Sequence, residues 1–181
     1  MNRYCVPLNI ITNPFKEGIN PFDFPKIRHS KLDYKDVFNE QIKEWFDSFN
    51  LEICLLEVFY SHPFFVGSIH RDNDQGNLPK INWVFGGKHS VMQWYKLKDG
   101  CAETRVNTAI DTVAIHYDKT FCDLVHSQNI SQPSIVRVGE PHGVRNLTED
   151  RYCISTVFRD KDTLKVPGME DTVAMFKDYI A

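Results

Sequence analysis

No two of the five cysteines stand at CxxC spacing, and five is an odd number. That pattern argues against a disulfide framework and against a cysteine-ligated zinc, so reduced thiols in a cytoplasmic compartment are expected. Basic runs are missing as well: 21 Lys and Arg stand against 24 Asp and Glu, a net charge of −3. Such a balance does not predict a phosphate-binding surface, and nucleic acid is not an expected partner. Long hydrophobic runs are absent too, because Pro7, Pro14, Pro21 and Pro25 interrupt the apolar stretches of the N-terminal region. That region reads as neither a secretory leader nor a spanning helix, so a soluble protein with no membrane partner is expected. There is no repeat, no low-complexity tract and, among seven histidines, no HxH pair.

What is present is an ordinary globular composition, 42% hydrophobic and 25% charged over 181 residues. It suits a single domain with a sizeable core. Residues 1–50 read as a proline-rich arm followed by one helix over 34–49. In that helix Phe38, Ile42, Trp45, Phe46 and Phe49 form an apolar stripe, with Asp33 as N-cap and Asn50 at the end. From 51 to 160 the texture is strand-like. Runs such as "LEICLLEVFY", "FFVGSIHRD", "KINWVF", "SVMQWYKL", "TVAIHY", "DLVHS", "SIVRVG" and "RYCISTVF" are separated by turn signals in "DQGNLP", "GGK", "KDG" and "GEPHG". Residues 161–181 form a tail with a short helix carrying Met169, Val173, Phe176 and Ile180. The expected fold is mainly β, an antiparallel sandwich or open barrel, with an N-terminal and a short C-terminal helix.

Within "SIHRDND", His70 and Asp72 are spaced to share one face of a strand, about 7 Å apart at Cα. A polar strand end running into a turn is the plain account. The chemical account is a metal held by two histidines and one carboxylate, which needs a third ligand elsewhere. His29, His62 and His89 lie in the arm, before a proline and after a Gly-Gly turn. His116 and His126 flank a turn without a companion motif. His142, between Pro141 and Gly143 in a rigid turn, is the best placed. Downstream, "RYCISTVF" puts Arg151, Cys153, Ser155 and Val157 on one face and Tyr152, Ile154, Thr156 and Phe158 on the other. The bulky face should enter a core. The other presents a cation that burial penalises by several kcal/mol unless an anion meets it. Glu149 or Asp150 could be that anion, and so could a ligand carboxylate.

His70-x-Asp72, a distal His142 and Arg151 nine positions further on together resemble the Fe(II)- and 2-oxoglutarate-dependent oxygenases, nearest to their prolyl-hydroxylase-like branch. The resemblance covers about residues 51–160. It implies a double-stranded β-helix, or jelly roll, with an insertion within 98–133. It also implies iron held by His70, Asp72 and His142. The cosubstrate carboxylate would be bound by Arg151 with Ser155, and dioxygen would be the oxidant. Tyr95 and Asn82 are further candidates to reach 2-oxoglutarate, and Trp94 to meet substrate; core packing is the plain account of each. Asp72, which halogenating members lack, implies hydroxylation of a peptide side chain or small molecule. The competing expectations are a cupin-type metalloenzyme, which the missing HxH disfavours, and a non-catalytic jelly-roll binding module.

Overall fold

A computed structural model of the chain describes residues 2–73 and 76–181; Asp74 and Gln75, from the expected "DQGNLP" turn, lie outside the described residues. The molecule is mainly β, with two antiparallel sheets of six strands each. In spatial order the first sheet holds β1 (Cys5–Pro7), β10 (Ser134–Arg137), β5 (Pro79–Gly86), β12 (Arg151–Asp160), β3 (Leu51–Ser61) and β2 (His29–Leu32). The second holds β7 (Thr104–Asn107), β8 (Val113–Tyr117), β4 (Ile69–Asp72), β11 (His142–Arg145), β6 (Val91–Leu97) and β9 (Cys122–Gln128).

The period-two pattern of β12 accounts for the layering. Tyr152, Ile154 and Phe158 are buried in the main core, which also takes in Ile42, Phe46, Met169 and Phe176 from the helices. Phe46 and Phe176 lie 5.6 and 6.1 Å from Phe158 between ring centroids. Helices therefore cover one face of the first sheet. Arg151, Cys153, Ser155 and Val157 face the other way, into a cavity shared with the second sheet.

The expected helix over 34–49 is instead two: α1 (Tyr34–Val37), capped by Asp33, and α2 (Glu40–Ser48). Asn39 separates them. Its side chain accepts from the Ile42 amide at 3.0 Å, which caps α2, and donates to the Phe15 carbonyl at 3.2 Å. Cap and arm anchor are thus one residue. Asn39→Ala is expected to cost about 1–2 kcal/mol and lower Tm by roughly 2–8 °C. A thermal melt shifted by less than 1 °C would remove Asn39 from this role. Asn50 ends α2 with φ 56°, and α3 (Met169–Met175) supplies the expected C-terminal helix.

The proline-rich arm is flanked by two short strands, β1 and β2, which form both edges of the first sheet. The strand expected from Phe64 begins only at Ile69, since Phe64 is left-handed (φ 62°) and Phe65 N–H donates back to the His62 carbonyl. Residues 98–133, where the resemblance implies an insertion, add strands to the second sheet. They supply β7 and β8 beyond β4 at one edge of the second sheet, and β9 beyond β6 at the other.

Candidate metal centre

His142 does not sit in a turn; it opens β11, where its Cα partners are His70 on one side and Trp94 on the other. Gly143 permits that close fit, since a Cβ there would stand 3.2 Å from the Ser68 carbonyl oxygen. Strand pairing therefore brings together residues 72 positions apart. The His70 and His142 ring centroids lie 4.5 Å apart, and Asp72, two residues beyond His70, points to the same side.

Each imidazole is held by the same device. His70 Nδ1 lies 3.0 Å from the Ser68 carbonyl and His142 Nδ1 lies 2.9 Å from the Glu140 carbonyl. A carbonyl only accepts, so Nδ1 carries a proton in both rings and Nε2 is the atom turned to the site. His70 Nε2 is 3.4 Å and His142 Nε2 is 4.0 Å from Asp72 Oδ1. The three donor atoms lie within 4.8 Å of one another. A divalent metal about 2.1 Å from each needs adjacent donors roughly 3 Å apart, so small side-chain rotations close the set. Two nitrogens and a carboxylate oxygen on one side leave the remaining coordination positions facing the cavity. His116, the other Cα partner of His70, stays outside this cluster.

Sequence reading missed the support behind Asp72. Its second oxygen, Oδ2, is 2.6 Å from Lys80 Nζ, and Lys80 also pairs with Glu57. Glu57 Oε1 in turn meets His29 Nε2 at 3.1 Å. Lys80 and Glu57 are both buried. Burial opposes the charge on Asp72, but Lys80 and the two histidines outweigh it and hold the carboxyl well below its ordinary range. Burial likewise opposes the Lys80 ammonium, yet Asp72 and Glu57 raise it above the usual lysine value. Burial and the neighbouring His70 push His142 down to about 4, leaving it neutral near pH 7. Burial pulls His70 down as well, but its contact with Asp72 prevails and raises it.

The cavity between the sheets has a volume of about 560 Å³ and contains His70, Asp72, His142, Asn82, Arg151 and Ser155 in its wall. That lies in the roughly 300–1,000 Å³ span of small-molecule sites. Arg151 is 3% exposed, and among the described residues no carboxylate comes within ion-pair distance of it. Asp150 is engaged by Lys26 and Tyr60 instead, and Glu149 accepts from the Lys88 amide. Gly87, with φ 58°, makes room for the guanidinium stem: a Cβ there would fall 2.7 Å from Arg151 Cβ.

Of the residues expected near the cosubstrate, Ser155 and Asn82 line the cavity with Arg151 and Tyr95 does not. Ser155 is four residues along the strand from Arg151, about 13 Å at Cα, and its hydroxyl donates to Asn82 Oδ1 at 2.7 Å. The hydroxyl beside Arg151 belongs to Ser90, which accepts from Arg151 Nε at 3.1 Å. Tyr95 is on the opposite face of β6, packed with Ile69, Ile115 and Tyr117, and its hydroxyl donates to Gln93. Trp94 is fully buried, with its indole N–H donating to the Arg137 carbonyl. In comparisons with known proteins, no family model matches this chain and no curated protein matches it. The site is read from its own geometry.

Proposed function

We propose that the protein is an Fe(II)- and 2-oxoglutarate-dependent dioxygenase, a hydroxylase on a double-stranded β-helix. The observation that carries this reading is Arg151. It is a buried cation without an acidic partner among the described residues, in the same cavity as a His/Asp/His cluster. A cation so placed is costly until an anion reaches it, and a carboxylate is its best-shaped partner. Two facing antiparallel sheets, with β4 paired to β11, support the barrel. Among the described residues no helix is long and apolar enough to cross a membrane. Five free cysteines suit a reducing cytoplasmic setting.

His70 Nε2, His142 Nε2 and Asp72 Oδ1 would hold the iron, and Arg151 with Ser90 would hold the far carboxylate of 2-oxoglutarate. Bound there, the metal and cosubstrate supply the oxidative decarboxylation that uses dioxygen to hydroxylate a C–H bond. The chain's own part is geometric. The carbonyls of Ser68 and Glu140 fix both imidazole tautomers, Lys80 keeps Asp72 Oδ1 turned to the histidines, and the two sheets limit the access of water.

The test is anaerobic. Fe(II) followed by 2-oxoglutarate should give the weak visible charge-transfer band of the chelated iron. Arg151→Ala should weaken 2-oxoglutarate binding by roughly 30-fold or more while leaving metal affinity unchanged. An unchanged cosubstrate affinity would reject the role of Arg151. No band in folded, metal-loaded wild type would favour a cupin-type enzyme or a binding module.

A further inference from the structure

We propose that the substrate is a small organic monoanion with an apolar body, bound through Arg28 at the cavity mouth. This inference rests on the reading above. The first support is charge. The described cavity wall holds three cations, Arg28, Lys80 and Arg151, against two carboxylates, Glu57 and Asp72. Lys80 is satisfied by both carboxylates. Doubly charged iron and doubly charged 2-oxoglutarate cancel, with Arg151 answering the cosubstrate's far end. With neutral histidines the loaded cavity therefore keeps one positive charge, and Arg28 is the cation left without an anion. Among the described residues no carboxylate lies within ion-pair distance of it.

The second support is placement. Arg28 immediately precedes β2, and its carbonyl accepts from the Tyr60 amide at 3.3 Å, which fixes the segment against β3. Its guanidinium carbon lies over the Phe65 ring, 5.3 Å from the centroid, so the side chain is aimed rather than free. Arg28 shares the cavity wall with His70, Asp72 and His142, and is the cation there that the non-reacting end of a substrate would meet.

The third support is the lining. The cavity wall also carries apolar side chains, among them Ile27, Leu55, Phe59, Phe65, Val106 and Val113. Ile27 and Val106 are exposed at 52% and 37%, so apolar surface continues outward at the opening. An apolar body covers that surface, and a single anionic group pairs with the guanidinium as the ligand displaces water from it. A dianion would leave one charge unmatched, and a cation would meet Arg28 directly.

Matched pairs of probes separate charge from shape: hexanoate with hexanamide, and phenylacetate with phenylacetamide. Each is added under argon to protein loaded with Fe(II) and 2-oxoglutarate, reading the visible band and the melting temperature. The acids should shift the band and raise Tm, and the amides should do neither at the same concentration. Arg28→Gln should weaken acid binding about tenfold or more, Arg28→Lys should recover part of it, and both should keep wild-type 2-oxoglutarate affinity. Acid and amide acting alike, neither acting, or an unchanged response in Arg28→Gln would overturn the inference while the cosubstrate band stands. Absence of the band in wild type would overturn the cosubstrate reading, and this inference with it.

Discussion

Lys80→Met is expected to lower Tm by roughly 6–20 °C, corresponding to a loss of about 3–5 kcal/mol. Met fills nearly the volume of the lysine stem, so the effect is electrostatic rather than a cavity. Removing the ammonium leaves Asp72 and Glu57 charged in a wall where both depend on it. Glu57 is 2% exposed and, among the described residues, keeps only His29 as a partner. The double variant Glu57→Gln with Lys80→Met should regain a large part of the loss, because one stranded carboxylate is removed. A single-variant Tm within 2 °C of wild type would sink the argument, as would a double variant no better than the single. The pH dependence has a definite sign. Asp72 is depressed in the folded protein, so its contribution is present above the ordinary carboxyl pKa and disappears as pH falls through the lower folded value. In Lys80→Met burial acts with its main opponent removed, so that loss moves to higher pH.

A buried Lys–Glu pair is a poor means of gaining stability, since apolar residues of equal volume often do as well or better. Its retention makes sense if Asp72 must remain ionised and fixed. Lys80 occupies Oδ2 and leaves Oδ1 for the side of His70 and His142. A carboxylate held in this way is disposed to bind a metal through one oxygen, keeping an additional coordination position open for chemistry. The network thus links the stability of the fold to the ligand geometry of the proposed centre.

How much of this was legible in the sequence follows from the range over which each signal acts. The alternation in "RYCISTVF" is local, and the two faces of β12 fall where period two puts them. His70 and Asp72 share a face for the same reason. Lys80 was not legible, because a lysine at the start of a strand reads as solvated until Glu57 and Asp72 arrive from other strands. Its meaning is set by pairing between β5, β3 and β4. Ser90 is hidden in the same way, since only the fold brings its hydroxyl to Arg151 Nε. Tyr95 and Trp94 are consecutive, so one strand face could never have held both. His142 was identified, but "GEPHG" carries turn residues on both sides, and only pairing with His70 and Trp94 makes a strand of it.

His142→Ala is the variant that separates the centre from the fold. Loss of a partner behind a metal ligand typically costs 10–100-fold in affinity, so loss of a ligand itself should weaken metal binding by at least about 100-fold. Titration with Co(II) under argon reads this directly, because its visible spectrum reports both occupancy and coordination. The fold should survive, since β11 keeps its backbone pairing with β6 through Gly143, Val144 and Arg145. Far-UV circular dichroism should match wild type. The wild-type titration should also depend on pH, with a sign set by His70. His142 is already neutral near pH 7, with its pKa pushed down to about 4, whereas His70 is raised by Asp72 and must give up its proton before its Nε2 can bind. Metal affinity should therefore fall as the pH drops through neutrality, with up to one proton released per metal bound. Affinity independent of pH between 6 and 8, or undiminished Co(II) binding in His142→Ala, would show that metal binding does not run through these three side chains.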